Sequence, residues 1–154
     1  MIDVLSVGSI EVEIMRPKPD LPLDEIHLFV GPFPSWASVI TVGTAAKLGL
    51  ESAIVGTIGN DEFGNNVYNK LIKDGVNVNE IKIDSKATTG VAFVSYTSQG
   101  GRNYIFYIDP KTDNISENQF KFKKWGKIKL LHLNGSSIVS SELIRKVVIM
   151  QLKK

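Results

Sequence analysis

The 154-residue sequence predicts an α/β domain built on a mostly parallel sheet, and two stretches carry that prediction. Between Ser35 and Gly64 an amphipathic run, a short apolar run and a second amphipathic run follow one another on short connections. That order reads as helix, buried strand and helix, half of a layered α/β domain. Further on, two alternating runs flank Ser98-Gln-Gly-Gly101, which marks a β-hairpin outside that repeat.

In chain order, residues 2–8 form an apolar strand that Gly8-Ser9 ends. Glu11 to Ile14 alternate polar and apolar, the period of a half-exposed strand, with Glu11 left at the surface. Arg16-Pro-Lys-Pro-Asp20-Leu-Pro22 is a turn-rich break, and an extended segment follows near Glu25–Val30. Gly31-Pro-Phe-Pro34 introduces the central helix, in which Trp36, Val39, Ile40, Gly43, Ala46 and Leu48 recur at helical steps. Gly49 stands where a left-handed C-cap is wanted, because glycine takes that conformation without steric penalty.

Ser52–Ile58 is too short for a helix and apolar enough for a buried strand. Asn60 or Asp61 caps the next helix, residues 61–74, whose apolar side is Phe63, Val67, Leu71 and Ile72. Val76 to Asp84 is a short strand, and the hairpin arms are Val91–Thr97 and Arg102–Ile108. Gln119 to Lys127 reads as a short helix or turn, and Lys129–Leu133 as a buried parallel strand with Asn134-Gly-Ser-Ser137 as its C-terminal loop. Ser140-Ser-Glu142 caps a final helix with Leu143, Val147 and Met150 on one side.

One segment of this series is distinctive. AAKLGLESAIVGTIGNDEFG, ending at Gly64, has the form A-x-x-L-G, apolar strand, G-x-D-x-F-G. Asp3-Val-Leu-Ser-Val-Gly8 precedes it; Asp74-Gly-Val76, Thr89-Gly90-Val-Ala92, Gly101-Arg102 and Leu130-Leu-His-Leu-Asn-Gly135 follow. In this order the set resembles the N-terminal half of the ribokinase-like (PfkB) carbohydrate kinases, and it covers most of residues 2–135. The resemblance implies that residues 1–154 are the N-terminal portion of a ribokinase-like domain, a partial doubly wound sheet. It also implies a small β lid from segments about 11–30 and 88–109. The family's activity is ATP-dependent phosphorylation of a sugar or related polyhydroxylated acceptor, with ATP and Mg2+ as cofactors. The family's other half has no counterpart in this sequence, so the sites for both cofactors fall outside it.

The same resemblance nominates acceptor-binding residues. Glu13 falls where the family's first lid strand ends in an acidic residue, and a carboxylate there accepts hydroxyl hydrogen bonds. Periodicity alone would make it the wet face of an edge strand. The family's Gly-Gly pair and asparagine fall on Ser35, Trp36 and Ile40. A tryptophan ring can stack on a sugar's C–H face, but isoleucine cannot replace an amide hydrogen bond. Three explanations stay open, an acceptor that is not a usual aldose or ketose, a shifted register, or lost binding, and beside them stands the plain reading of Trp36 and Ile40 as core residues. Asn60 and Asp61 sit in a G-x-D loop that lies near the sugar in the family, although capping is the commoner work of such an aspartate. Phe93 belongs to the lid and would close over the substrate. Asn134 stands at the carboxyl end of a parallel strand, where open α/β sheets bind ligands. The lid face also makes a homodimer plausible in form, through an isologous contact.

Composition limits the alternatives. There is no cysteine and there are two histidines, His27 and His132, which excludes thiolate sites and any His-based metal cluster. Net charge is +2, with −6 on residues 1–120 and +8 on residues 121–154. The basic end reads as a solvated face or as a patch for a phosphate, and nucleic acid is not an expected partner. Asp3, Glu11 and Glu13 interrupt any signal sequence, and prolines interrupt the uncharged stretch 28–46, so a cytoplasmic protein without a membrane span is expected.

Phosphoryl transfer needs a backbone N–H cradle, a divalent metal and a carboxylate base. The sequence has neither the family's Gly-Ala-Gly-Asp run nor a G-x-x-x-x-G-K-[ST] loop. Asn114-Ile-Ser-Glu117 matches the letters of the family's magnesium-associated N-x-x-E, but it follows the hairpin directly and reads as a loop and helix start. No catalytic or metal residue is therefore assigned. Two functions compete: the sugar- or nucleoside-binding half of a kinase, and a non-catalytic binding or dimerisation module derived from one. In the first case an open sheet edge and exposed apolar side chains should mark where the rest belongs.

Overall fold

The structure is a computed structural model that describes residues 1–116, 119, 125–142, 144–146 and 149. In chain order its elements begin with β1 (Ile2–Val7), β2 (Glu11–Met15), β3 (Val30–Ser35), α1 (Ala37–Lys47), β4 (Ser52–Gly59) and α2 (Glu62–Lys73). They continue with β5 (Asn77–Asp84), β6 (Gly90–Tyr96), β7 (Arg102–Tyr107), β8 (Ile128–Leu133) and α3 (Gly135–Ser140).

The strands divide into two sheets. The main sheet runs β5-β4-β1-β8 with every neighbouring pair parallel. All eight residues of β4 are buried, because alternate side chains feed cores on opposite faces. Ile54 and Ile58 pack with Val39 and Val42 of α1 and Val67 and Leu71 of α2. Ala53 and Val55 pack on the other face with Leu5, Val7, Ile115 and Ile144. Each fully buried isoleucine or leucine contributes about 1.5–3 kcal/mol relative to its exposed state. This two-faced burial is the doubly wound α/β arrangement expected from the apolar run.

The second sheet is the lid. It runs β3-β2-β6-β7, with β2 antiparallel to β3, parallel to β6, and β6 antiparallel to β7. The hairpin therefore forms where the alternation placed it. The extended segment expected near Glu25–Val30 lies later, at Val30–Ser35, and takes in Pro32 and Pro34. Proline lacks the N–H of a central strand, and β3 tolerates two because it is the edge of its sheet.

With β3 at that edge, β2 is interior, and Glu11 is not a surface residue: it is 1% exposed. That corrects the half-exposed strand expected from the alternation of residues 11–14. The residues after β8 are also not a plain loop, since the Asn134 side chain accepts from Ser136 N–H and caps α3. The Ser141 hydroxyl accepts from Ile144 N–H at 3.1 Å, as expected of a cap in that region. The rest of that last helix (Leu143, Val147 and Met150) and most of Gln119–Lys127 lie outside the described residues.

Local signals set the helix ends. Gly49, the residue after the Leu48 C-cap of α1, has φ +84°, the left-handed conformation expected of it. Asp61 caps α2 by accepting from Gly64 N–H at 2.7 Å. Gly64 must be glycine because a Cβ there would lie 2.4 Å from the Gly59 carbonyl oxygen. The G-x-D-x-F-G run is thus a strand end, a cap and a close crossing packed into six residues.

Among the described residues β8 pairs with β1 alone, and Leu130 on it is 55% exposed. No helix of those residues is long and apolar enough to cross a membrane.

Candidate functional site

The site begins at Glu13, two residues from Glu11 and on the same face of β2. Its register partners are Phe33 on β3 and Ala92 on β6. The Ser35 hydroxyl donates to Glu13 Oε2 at 2.9 Å, and the Tyr96 hydroxyl donates to Oε1 at 3.1 Å. Burial, and then the hydrogen bond to Glu13, push the Tyr96 phenol above its ordinary pKa. The carboxylate is held from both neighbouring strands and keeps lone pairs for further hydroxyls.

Around it lies a cavity of about 390 Å³. Ser35, Trp36 and Ile40 form one wall, Arg102, Tyr104 and Phe106 of β7 another, and Asn134 and Ser136 close the side toward the main sheet. The aromatic rings touch in series. Trp36 meets Phe106 edge-on at 5.8 Å and 88°, and Phe106 stacks on Tyr104 at 5.1 Å and 14°. Arg102 donates to the Tyr104 hydroxyl at 3.3 Å, and its guanidinium lies 5.6 Å from the centre of the Tyr96 ring. Trp36 occupies the N-cap of α1 with φ +79° and ψ 149°, a sparsely populated backbone region that costs a non-glycine residue on the order of 1–3 kcal/mol. Its indole N–H is buried and has no hydrogen-bond partner among the described residues.

Of the residues expected at the site, Glu13, Ser35, Trp36 and Asn134 meet in this cavity. The other three lie elsewhere. Asp61 Oδ1 accepts from Gly64 N–H and Oδ2 from Thr89 N–H, each at 2.7 Å, so its carboxylate is taken up by backbone. Burial opposes that charge, but these N–H groups outweigh it and hold the pKa below the usual carboxylate value. Asn60 is exposed and does not line the cavity. Phe93 points to the opposite side of the lid, edge-on to Phe29 at 5.6 Å and to Tyr107 at 6.2 Å, packed on the α2 core. The one-residue parity of β6 decides this: Ala92 faces the cavity and Phe93 cannot.

Sequence reasoning missed Arg102, Tyr104 and Phe106. Their period of two along β7 was a readable signal, since one of the two faces of that arm had to meet Glu13.

Glu11 lies deeper. Neither of its carboxylate oxygens has a hydrogen-bond partner among the described residues, and burial, followed by repulsion from Asp113, pushes its pKa up to about 8. Asp113 in turn accepts from the Ser9 hydroxyl. Its environment therefore favours the neutral acid, and Glu11 does not line the cavity.

A larger cavity, about 580 Å³, lies on the Val91 side of β6 between the start of α2 and Asp109. Its Asp61 and Asp109 carboxylates are already bonded to the N–H groups of Gly64, Thr89, Thr88 and Lys111. The smaller cavity, with its anchored carboxylate and open aromatic wall, is the better candidate.

The helix starts that border the two cavities are poor cradles for the phosphates of a nucleoside triphosphate. The start of α2 carries the Asp61 carboxylate, which repels an anion, and α1 begins on the Trp36 ring rather than a bare N–H cradle. No group of three or more His, Asp or Glu close enough to hold a metal occurs among the described residues.

Comparison with known proteins places these features. The pfkB family carbohydrate kinase pattern matches residues 41–153. The chain is 31% identical over 138 residues to fructokinase-2 of Oryza sativa subsp. japonica, covering 89% of this chain and 41% of that protein. Identity to "Probable fructokinase-5" of Arabidopsis thaliana is 30% over the same length, covering 42% of it. Among solved structures, "a putative Ribokinase II" from E. coli in its apo form superposes with a TM-score of 0.87 at 30% identity. It covers 99% of this chain and 49% of that one. Its complex with ATP and Mg2+ gives a TM-score of 0.86 at 30% identity, with 99% and 50% coverage. The chain thus spans half or less of the length of each of these relatives.

Proposed function

Because this chain belongs to the pfkB family of carbohydrate kinases, we propose that its cavity binds the hydroxylated acceptor of an ATP-dependent kinase. In this reading Glu13 anchors acceptor hydroxyls, the lid sheet roofs them, and ATP with Mg2+ is held by protein outside these 154 residues. The observation that carries it is the Glu13 carboxylate fixed by Ser35 and Tyr96 at the base of a cavity between lid and main sheet. A carboxylate that keeps its own donors while retaining lone pairs suits selection of a polyol over analogues lacking the hydroxyls.

The test is calorimetric. Sugars and nucleosides are screened for binding to this chain and for thermal stabilisation, which grows as the logarithm of ligand over Kd. The expected result is binding of at least one acceptor, its loss in Glu13→Ala, and no ATP hydrolysis by the chain alone. An acceptor panel without any binding ends the proposal.

One observation favours a second reading, a non-catalytic dimerisation module. Every residue of β7 is exposed, and Tyr107 at the edge of the lid is 68% exposed. An unpaired strand edge with apolar side chains invites a second copy of the chain. Light scattering that gives a monomer at high concentration would remove this reading.

A further inference from the structure

We infer that the larger cavity is a second ligand site and that it takes a small organic cation, a primary amine carried on an aromatic or branched alkyl body. Strand parity separates it from the candidate acceptor site. Val91 and Tyr107, which line it, are register partners on one face of the lid, and Ala92 and Phe106 line the smaller cavity on the other.

The cavity holds about 580 Å³, a size that suits a drug-like molecule. Phe63 of α2, Val91 of β6, and Tyr107 and Ile108 at the end of β7 form its apolar part. Tyr107 is 68% exposed, so its ring is open to a ligand. Carbon surface laid against these side chains gains about 25 cal/mol for each Å² removed from water.

Charge decides what else the ligand carries. Among the described residues, every charged side chain that lines this cavity is acidic: Asp61, Glu62 and Asp109. Asp61 accepts from the N–H groups of Gly64 and Thr89, and Asp109 from those of Lys111 and Thr88 at 2.9 and 3.2 Å. Those bonds leave the two carboxylates less to offer a hydroxyl, but they fix them in place without cancelling their charge. The positive end of α2 offsets only about half an elementary charge. Lys111 turns its ammonium to the Lys86 carbonyl at 2.7 Å, and neither lysine lines the cavity.

The layout favours an amine on a carbon frame over other cations. The carboxylates stand around an apolar floor, and no group of three or more acids or histidines close enough to hold a metal occurs among the described residues. An ammonium can meet this rim while its body covers Phe63 and Val91, with the Tyr107 ring adding a cation–π contact. A lysine side chain from another protein brings the same charge on a thin stem and leaves the floor uncovered. Because Glu62 and Phe63 belong to α2 and Val91 and Tyr107 to the lid, a bound amine also ties the lid to the main domain.

NMR titration of the 154-residue chain with phenethylamine, phenethyl alcohol, hydrocinnamate and N-acetyl-lysine amide reads affinity and place together. Phenethylamine should shift the amide signals of Phe63, Thr89 and Tyr107 and leave that of Trp36 unmoved. It should bind at least about tenfold tighter than the alcohol, and the acid should not bind. Glu62→Gln and Tyr107→Ala change exposed side chains and spare the core, and each should weaken the amine about threefold or more. An alcohol as tight as the amine, a lysine amide tighter than it, variants with unchanged affinity, or shifts centred on Trp36 would each overturn the inference. So would binding of none of the four compounds.

Discussion

The Tyr96 hydroxyl donates to Glu13 Oε1 at 3.1 Å, tying the hairpin arm β6 to the carboxylate at the candidate cavity. Lid position and the proposed acceptor site therefore share a hydrogen bond. Tyr96→Phe should weaken acceptor binding several-fold, because Glu13 loses one of two donors. The loss in stability should be only about 1 kcal/mol, the usual net value of one such bond. Titration calorimetry beside a denaturant curve separates the two effects. A stability loss with unchanged binding would show that the bond merely holds the lid.

Glu11 makes the pH dependence of folding specific. Its pKa rises from 4.5 in the unfolded chain to about 8 in the fold, so the native state holds the proton more tightly. The group's contribution is then fully present below pH 4.5, declines as pH climbs, and is lost by about pH 8. The span is on the order of a few kcal/mol. Glu11→Gln removes the titration: urea stability at pH 8 should rise relative to wild type, and the slope between pH 5 and pH 8 should flatten. An unchanged slope would mean that the carboxyl is solvated and ionised throughout.

The burial of Glu11 is not legible in the sequence, for a physical reason. A polar–apolar alternation says which side chains share a face, but not whether that face is covered. For Glu11 and Glu13 the answer depended on β3 pairing outside β2 and β6 pairing inside, both contacts distant in sequence. The helix–strand–helix core was legible because its signals are local: the apolar run of β4, the Asp61 cap and the left-handed Gly49. The cavity was half legible. Glu13, Ser35 and Trp36 came from the family resemblance and Asn134 from its place after a parallel strand, whereas the Arg102, Tyr104 and Phe106 wall needed the register of the hairpin.

Asp61 should prove structural in its effects. It bonds the N–H groups of Gly64 and Thr89 and so joins the start of α2 to the entry of β6. Asp61→Ala should cost about 1–2 kcal/mol, as lost caps do, and leave acceptor affinity unchanged within error. Its lowered pKa adds an acid signature: stability present above the unfolded value is lost as pH falls through the folded one. A large drop in affinity with little change in stability would return Asp61 to the binding site.

Two glycines of the signature run should fail for different reasons, and substitution can tell them apart. At Gly49 the space for a Cβ is open but φ is +84°, so the cost of alanine comes from backbone conformation alone, about 1–2 kcal/mol. Asparagine, which tolerates that region, should recover part of the loss. At Gly64 the helix geometry suits any residue, yet a Cβ would sit 2.4 Å from the Gly59 oxygen and 2.9 Å from Thr89 Oγ1. Alanine there must push the start of α2 off the end of β4, disturbing the Asp61 bonds with it, and asparagine should be worse rather than better. Thermal melts of the four variants give the comparison. Equal tolerance of asparagine at both sites would show that the crossing of β4 and α2 is looser than the contact distances require.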